Sequence, residues 1–402
     1  MKDNKLTKRK LFFYGLSEMP ISIAGLPLLT YLPNYYGSDV GISLAAIGMI
    51  WLAARIFDAF TDPLIGYLGD RTNTRWGRRR VWMVASIPIL IPAVYFLFFP
   101  NEETVTAMYL FFWLAMFWLG WTMLLIPYYA WAAELSPDYN ERTTITAWRT
   151  WIGMVGNVLS KLIPTLALVL FAYGGTREVV QMIGFAMLIL IPITILLTVF
   201  NVEESKDYTP PRLSVFEGLK VMWKNGPFRR LALAFFLHIT GVSITSATFI
   251  FFIRGVIQEE KAGIALLLSY YIITLCAIPV WVMISKKIGK HRAWIFGLLC
   301  FVITNPFYML LGPGDIYWMM LGLTITGFGG ATSYVIPPSM KADVIDLDKL
   351  NSGEDRAGSF FAVWSFITKI SSSKIIGIKF RLSNSRTIFR FLETVEVHTA
   401  TG

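Results

Sequence analysis

Residues 42–68 read ISLAAIGMIWLAARIFDAFTDPLIGYL, an apolar stretch with three charged residues near its middle. The stretch is long enough to cross a bilayer as a helix, because about 20 apolar residues span the hydrocarbon layer. Each charge costs about 3 kcal/mol at the centre of such a helix on insertion scales. The charges are Arg55, Asp58 and Asp62, and their spacing places them on one helical face. This pattern predicts that they point together into a protected cavity that marks an ion or substrate path.

The composition of the whole chain is that of a membrane protein. Of its 402 residues, 55% are hydrophobic and only 15% are charged, whereas soluble domains carry about 25% charged residues. The 14 Trp and 17 Tyr residues suit bilayer interfaces, where amphipathic rings are enriched. The three histidines are scattered, and no spacing is typical of a metal site or a catalytic acid–base set. We therefore expect neither an enzyme nor a resident cofactor.

Apolar runs of suitable length predict ten membrane spans and the start of an eleventh. The ten lie near residues 11–33, 42–69, 81–99, 106–132, 146–173, 179–200, 231–253, 263–284, 293–312 and 316–340, and the eleventh begins at 359. Lysine and arginine precede the first span and recur in every second loop, whereas the loops GSDV, PNEETV and GPGD contain neither. Because cytoplasmic loops carry the excess of basic residues, the N-terminus is predicted to be cytoplasmic. The alternation also explains the net charge of +10 without nucleic acid as a partner.

A polar segment divides the predicted spans into six before it and five after it. It contains Pro210, Pro211 and Pro227 and predicts a cytoplasmic linker over residues 202–230. We expect a six-helix bundle over residues 1–201 and a second, incomplete bundle over 231–370. A weak repeat supports the division, since an Ile-Pro pair, then acids, then an arginine end both the fourth and the tenth span. Parallel repeats of this kind are typical of the all-helical major facilitator fold, whose substrate site lies between the halves.

The second span and its following loop carry the most specific motif. Residues 58–82 read DAFTDPLIGYLGDRTNTRWGRRRVW. The residues that resemble the loop motif of major facilitators are Gly66, Asp70, Arg71, Gly77 and Arg78. The longer string is similar to that of the glycoside–pentoside–hexuronide:cation symporter family. Weaker matches, which extend the resemblance to about residue 370, are Tyr14-Gly15, Ile126-Pro127, Arg149 and the segment FFAVWSFITK.

The resemblance implies that Asp58 and Asp62 hold the coupling cation. Thr61 stands at a polar cation-site position of the family, and Thr122 matches a threonine of span four beside that site. Hard cations prefer oxygen ligands, which two carboxylates one turn apart and two hydroxyls supply. Sodium is one candidate ion. Because close carboxylates repel, one of them can instead be protonated, and the same pair could couple to protons.

Two basic residues are the predicted counter-charges of this site. Arg55 could neutralise the acids in the empty carrier, and the resemblance places it on the inward-facing side of its helix. Lys369 resembles a lysine of span eleven that approaches the acidic cluster in the family. An open alternative is that the acids form a structural ion pair with either residue.

The family's substrate-binding positions map here onto residues of different chemistry. Ser22 stands at the position of a span-one aspartate, and Glu18, one turn earlier, is the nearest acid. Leu125 and Tyr129 replace an aspartate and a tryptophan of span four. Arg149 either contacts substrate or pairs with an acid of the span-four loop, and the other predicted substrate residues are Trp364 and Lys369. Because the missing carboxylates bind sugar hydroxyls in galactoside carriers, their absence argues against a galactoside as cargo.

Charged residues at the ends of spans two and four predict a conformational gate. Asp70, Arg71 and Arg78 are expected to hold a closed state rather than to bind ligand. Glu134 and Arg142, beyond span four, are expected to form similar ion pairs between loops.

These features predict symport of a sugar or glycoside with a sodium ion or proton, by alternating access. One alternative cargo is a lysophospholipid or other amphipathic solute, which a distant branch of the family carries and with which the apolar Leu125 is compatible. A non-transporting remnant of the fold is a further alternative. We expect a monomer in a bacterial inner membrane.

The C-terminal end of the sequence departs from the resemblance. Family members complete span eleven and add a twelfth, whereas residues 371–402 form an atypical polar tail. No stretch from residue 374 onward could cross a bilayer without burying a charge. The interrupting residues are Lys374, Lys379, Arg381, Arg386 and Arg390. The change predicts an altered reading frame or a truncation, and the alternative is a basic amphipathic helix on the membrane surface.

Overall fold

The computed structural model describes residues 6–171, 175–204, 222–259, 262–365 and 367–368, and this part of the chain is helical without a β-strand. The first eight helices are α1 (Lys8–Leu16), α2 (Glu18–Leu26), α3 (Leu32–Ser38), α4 (Leu44–Arg71), α5 (Arg79–Phe98), α6 (Ala107–Glu134), α7 (Tyr139–Phe171) and α8 (Thr176–Asn201). Then follow α9 (Gly226–Phe252), α10 (Gly263–Ile288), α11 (Lys290–Tyr308), α12 (Ile316–Ser352) and α13 (357–365, continued at 367–368). Lys369, the polar tail and most of the predicted linker lie outside the described residues.

Helices occupy all ten predicted spans, and α13 begins close to the predicted eleventh. The first span is divided, since α1 and α2 meet at Ser17 and a π-helical turn over Pro27–Tyr31 precedes α3. Seven of the described helices are long and apolar enough to cross a membrane, and these are α4, α5, α6, α8, α9, α10 and α12. The all-helical prediction is therefore confirmed, while the predicted boundaries of the two bundles and the linker stay predictions.

Side-chain oxygens cap the first turns of several helices, whose leading N–H groups have no partner within the helix. Ser43 accepts a hydrogen bond from the Ala46 amide at the start of α4, and Thr106 accepts one from the Tyr109 amide at the start of α6. Helix α5 is capped from a distance, because the Glu204 carboxylate accepts the amides of residues 78, 79 and 80. The segment after α8 is thereby fixed against the start of α5.

The N-terminal helices share one apolar core. Within it, α2 packs on α7, α4 on α6, and α5 on both α6 and α8. Tyr14 of α1 and Tyr128 of α6 are fully buried and exchange hydrogen bonds, since each hydroxyl donates to the other residue's carbonyl oxygen at 2.7 and 2.9 Å. This reciprocal pair satisfies two polar groups inside the bundle and fixes α1 against α6.

A second core joins the C-terminal helices to α6 and α7. Helix α7 packs against α10 and α12, and α4 packs against α13. The backbones of α4 and α13 touch at Gly66, where a Cβ atom would lie 2.8 Å from the carbonyl oxygen of Gly358 and from the Cβ of Ala362. Only glycine permits so close an approach of two helices at this crossing.

Polar contacts join the two halves toward one end of the bundle, called here the N-terminal end because α1 begins there. Asp70, near the end of α4, accepts the amides of Gly358 and Ser359 at 2.7 Å each and the Ser359 hydroxyl at 2.8 Å. The hydroxyls of Thr143 on α7 and Ser339 on α12 lie 3.0 Å apart. The halves are therefore closed against each other at the N-terminal end.

Candidate cation and substrate sites

The two acids of the second span lie in the protein interior beside α6. Asp58 and Asp62 are fully buried, although they belong to a helix that is apolar enough to cross a membrane. The Thr122 hydroxyl oxygen of α6 lies 2.8 Å from Asp58 Oδ1 and 2.9 Å from Asp62 Oδ1. The structure thus brings together three of the four predicted cation-binding side chains at one point.

This arrangement suits a hard cation. A hydroxyl carries a single hydrogen, so Thr122 can donate to only one of the two carboxylates at a time. Two carboxylates that meet at one hydroxyl repel each other unless a proton or a cation lies with them. Carboxylate and hydroxyl oxygens are also the ligands that hard cations take.

The other predicted members of the site have mixed outcomes. The Thr61 hydroxyl donates to the Asp58 carbonyl oxygen of its own helix at 3.0 Å, so it is already engaged by the backbone. Arg55 Nη1 lies 3.5 Å from Asp58 Oδ2, and its guanidinium covers the Trp118 ring at 3.8 Å from the centroid. The structure therefore contains the predicted counter-charge beside Asp58. Lys369 lies outside the described residues.

The predicted substrate residues of α2, α6 and α7 form a second polar cluster. The Tyr129 hydroxyl donates to Glu18 Oε1 at 2.9 Å, and Arg149 Nε lies 3.6 Å from Glu18 Oε2. The Arg149 guanidinium also covers the Tyr129 ring at 4.3 Å. Arg149 therefore pairs with an acid of α2, and the alternative of a pair with a span-four loop acid is wrong. A loop acid was the nearer choice in sequence, but α7 runs parallel to α2 and places the buried Arg149 side chain beside Glu18.

Two further predicted positions flank this cluster. Ser22 lies one turn beyond Glu18 and packs against the α7 backbone at Gly153 and Gly156. Leu125 lies one turn from both Thr122 and Tyr129 on α6 and packs, half-buried, against the N-terminal core. Leu125 thus stands between the acid pair and the Tyr129 cluster along one helix.

The C-terminal half contributes aromatic rings and a lysine. Trp364 of α13 stacks on Phe235 of α9 with centroids 4.2 Å apart. Lys341 Nζ of α12 lies 3.6 Å from the Phe361 ring centroid and 4.6 Å from that of Trp364. Sequence analysis predicted Trp364 but missed Lys341, because a lysine that follows an Ile-Pro pair near a span end resembles a loop charge. Helix α12 continues well past this point, and only its length reveals that Lys341 is internal.

Several residues of the predicted gate form ion pairs, together with one residue that the sequence did not single out. Arg79 is fully buried, and its Nη2 atom lies 2.7 Å from Asp70 Oδ1 and 2.6 Å from Glu134 Oε1. Arg78 also pairs with Glu134 at 3.0 Å. Arg71 covers the Tyr67 ring at 4.3 Å, at the exposed end of α4. Arg79 was missed because residues 78–80 are three identical arginines in a row.

Arg142 forms ion pairs that join the two halves. It lies at the start of α7, and its guanidinium contacts Asp346 and, at 3.5 Å, Asp343, both on α12. Lys290 at the start of α11 also reaches Asp343, at 2.6 Å. These acids lie on a helix and not in a loop, because α12 extends beyond its apolar span and presents them to α7.

A family model described as MFS/sugar transport protein matches residues 13–378, and the chain belongs to this family. It is therefore an integral membrane protein of a transporter family with the major facilitator fold, not an enzyme. In the solved structure of a bacterial homologue of the iron transporter ferroportin, in an outward-facing state, the fold superposes with a TM-score of 0.70. That comparison covers 96% of this chain and 94% of the other at 14% identity.

Curated relatives are symporters and transporters. The chain is 27% identical to the isoprimeverose transporter of Lactiplantibacillus pentosus, over 89% of this chain and 76% of the relative. It is 24% identical to the inner membrane symporter YicJ of Escherichia coli, over 92% and 81%. It is 23% identical to the sodium-dependent lysophosphatidylcholine symporter 1-B of Danio rerio, over 91% and 76%. Sugar and lysolipid carriers thus both resemble this chain.

Proposed function

We propose that this chain is a secondary active transporter that carries a sugar or glycoside together with a sodium ion or proton. The observation that supports this proposal is the meeting of Asp58 and Asp62 at the Thr122 hydroxyl, inside an apolar bundle. Arg55 supplies one counter-charge, beside Asp58, and two buried carboxylates need a second. A travelling cation supplies that charge and links its own gradient to the movement of cargo.

Helix α4 offers a route from cation binding to alternating access. The acids lie in its middle, and Asp70 at its end contacts α13 of the other half. A cation that neutralises the acids would stabilise α4 in the arrangement closed at the N-terminal end. If that state also binds cargo better, the two ligands assist each other by the same factor.

The orientation and the membrane belong to the same proposal. A cytoplasmic N-terminus, supported by the basic residues in alternate loops, would make the closed end cytoplasmic and the state outward-facing. A bacterial inner membrane is supported by the relative named an inner membrane symporter. We propose a monomer, since each half already contributes residues to the clusters described above.

The substitution Asp62→Asn tests the proposal. The change keeps the shape of the side chain and removes its charge, so we expect accumulation of labelled sugar against a gradient to cease in proteoliposomes. Asp39→Asn, the same change at an exposed residue, is the matched control and should leave accumulation intact. Undiminished accumulation by Asp62→Asn would reject the cation site.

A lysophospholipid is the second candidate cargo. The half-buried Leu125 between the two polar clusters and the lysolipid-carrying relative favour it. Counterflow of labelled sugars against labelled lysophosphatidylcholine, with and without sodium, would separate the two cargoes. A protein that binds either compound without moving it would instead be a non-transporting member of the family.

A further inference from the structure

A buried lysine of the C-terminal half has no acidic partner among the described residues. Lys341 is 2% exposed, and in the part of the chain that the structure describes its ammonium group makes no hydrogen bond or ion pair. Its neighbours are the faces of Phe361 and Trp364. Cation–π contacts offset only part of the cost of removing an ammonium from water. A charge held in this way inside a bundle marks a functional site.

The N-terminal half places a second cation beside this lysine. Arg149 of α7 is 6% exposed and, like Lys341, lies over an aromatic ring. A continuous path of rings joins the two, because Arg149 covers Tyr129, whose ring lies 6.3 Å from that of Phe361, and Phe361 lies under Lys341. The two basic groups therefore share one aromatic-lined region at the boundary between the halves.

The charges in this region do not balance. Glu18 is the acid that approaches Arg149, and the 3.6 Å separation between Arg149 Nε and Glu18 Oε2 is too long for a hydrogen bond. Both of these atoms are buried without a hydrogen-bond partner. Among the described residues, Glu18 approaches Arg149 and no acid approaches Lys341, so donor capacity is left over on each cation.

We propose that Arg149 and Lys341 together bind an anionic group of the cargo, a carboxylate or a phosphate, across the boundary between the halves. The inference rests on the proposed transport function and specifies its cargo. Arginine offers a planar fork of N–H donors to such a group, and lysine offers a compact charge. The rings of Tyr129, Phe361 and Trp364 would pack against the apolar face of the same molecule. Because one cation belongs to each half, the anionic group joins the halves when it binds.

The test compares pairs of probes that differ in one anionic group. The first pair is 4-nitrophenyl β-D-glucuronide and 4-nitrophenyl β-D-glucoside, and the second is lysophosphatidic acid and a monoacylglycerol of the same chain length. Binding to the purified full chain in nanodiscs is measured by calorimetry. We expect one anionic probe to bind about tenfold or more tightly than its neutral partner, as charge-assisted hydrogen bonds predict. A preference in the first pair identifies the bound anionic group as a sugar carboxylate, and a preference in the second pair identifies it as a lipid phosphate.

Variants of Lys341 assign the preference to this residue. Lys341→Met keeps most of the side-chain volume. It should weaken binding of the anionic probe about tenfold and leave the affinity for the neutral partner within about twofold of its original value. Lys341→Arg should retain the preference. Equal affinities for both members of each pair, or a preference that survives Lys341→Met, would overturn the proposal.

Thermal stability separates this role from a structural one. A buried lysine that serves to bind ligand destabilises the ligand-free protein, because its ammonium group then has no counter-charge. Lys341→Met should therefore raise the melting temperature of the ligand-free protein by about 2 °C or more. A lower melting temperature would indicate that the lysine supports the fold and would overturn the proposal. Binding is measured without a cation gradient. If the protein binds the anionic probe but never accumulates it, the anion site is supported and the proposed symport is rejected.

Discussion

Thr122 lies at the centre of the proposed cation site. Its hydroxyl reaches both buried carboxylates, whereas that of Thr61 is engaged by its own helix. The two threonines were equivalent on sequence grounds, and the helix pairing of α4 with α6 distinguishes them.

A pair of substitutions at Thr122 tests this distinction. Thr122→Val keeps the volume and removes the hydroxyl, so the concentration of coupling cation for half-maximal uptake should rise about five- to tenfold, for a loss of about 1 kcal/mol. Thr122→Ser should stay near the original value. Thr240→Val removes a hydroxyl that donates only to its own helix, at Phe236, and serves as the control. A similar rise in Thr240→Val would mean that the effect is not local to the site.

Single buried residues were predictable from the sequence where a charged residue interrupts an apolar run. Asp58 and Asp62 stand out because they interrupt an apolar run, and the structure places both in the interior. Arg79 could not be separated from its two neighbours, since the Glu204 cap that orients the start of α5 lies more than a hundred residues away. Lys341 is hidden for a similar reason, because its surroundings are supplied by α13 and α7 and not by its own segment.

At the scale of elements, α4 supplies the cap of a helix in the other half. The Asp70 carboxylate accepts the first amides of α13, while Arg79 holds the same carboxylate from α5. A charge-assisted contact at a helix N-terminus is stronger than a neutral one, so this interaction stabilises the closed arrangement.

Asp70→Ala should therefore shift the protein toward the state that is open at the N-terminal end. We expect increased labelling of a cysteine introduced at Ser339, measured with a membrane-impermeant thiol reagent from that side in a background without Cys276 and Cys300. Ser43→Ala removes a neutral cap within one half, at a cost of about 1 kcal/mol, without touching the boundary, and serves as the control. Equal labelling in both variants would contradict a gating role.

The helices themselves were largely predictable, and their ends were not. The length of each apolar run locates its span because lipid imposes a minimum length on it. It says nothing about a helix that continues into water, and α12 runs to Ser352 although its predicted span ends near 340. The helix stops where Gly353 adopts a positive φ of 71°, a conformation that favours glycine. That extension carries Asp343 and Asp346 to Arg142 and so creates the contact between halves.

At the scale of the whole molecule, the halves meet through contacts that must break if the other end is to close. Thr143 and Ser339 face each other across this boundary, with hydroxyl oxygens 3.0 Å apart. They lie on α7 and α12, which belong to different halves.

A disulfide at this position should hold the molecule in one state. In a background without Cys276 and Cys300, the double variant Thr143→Cys with Ser339→Cys should cross-link under oxidation and lose flux. Reduction should restore flux, because the contact itself is native. Each single cysteine variant serves as the control. Full flux in the cross-linked protein would show that transport proceeds without separation of the halves at this end.

The unbalanced basic pair also bears on the electrical character of a transport cycle. A monovalent cation at the acids and a singly charged anion between Arg149 and Lys341 would cross the membrane together as a neutral sum. The loaded step would then carry no current and would not respond to membrane voltage, so the chemical gradient of the cation alone would drive it. With an uncharged cargo the same step would move one positive charge, and respiration-generated voltage would assist uptake.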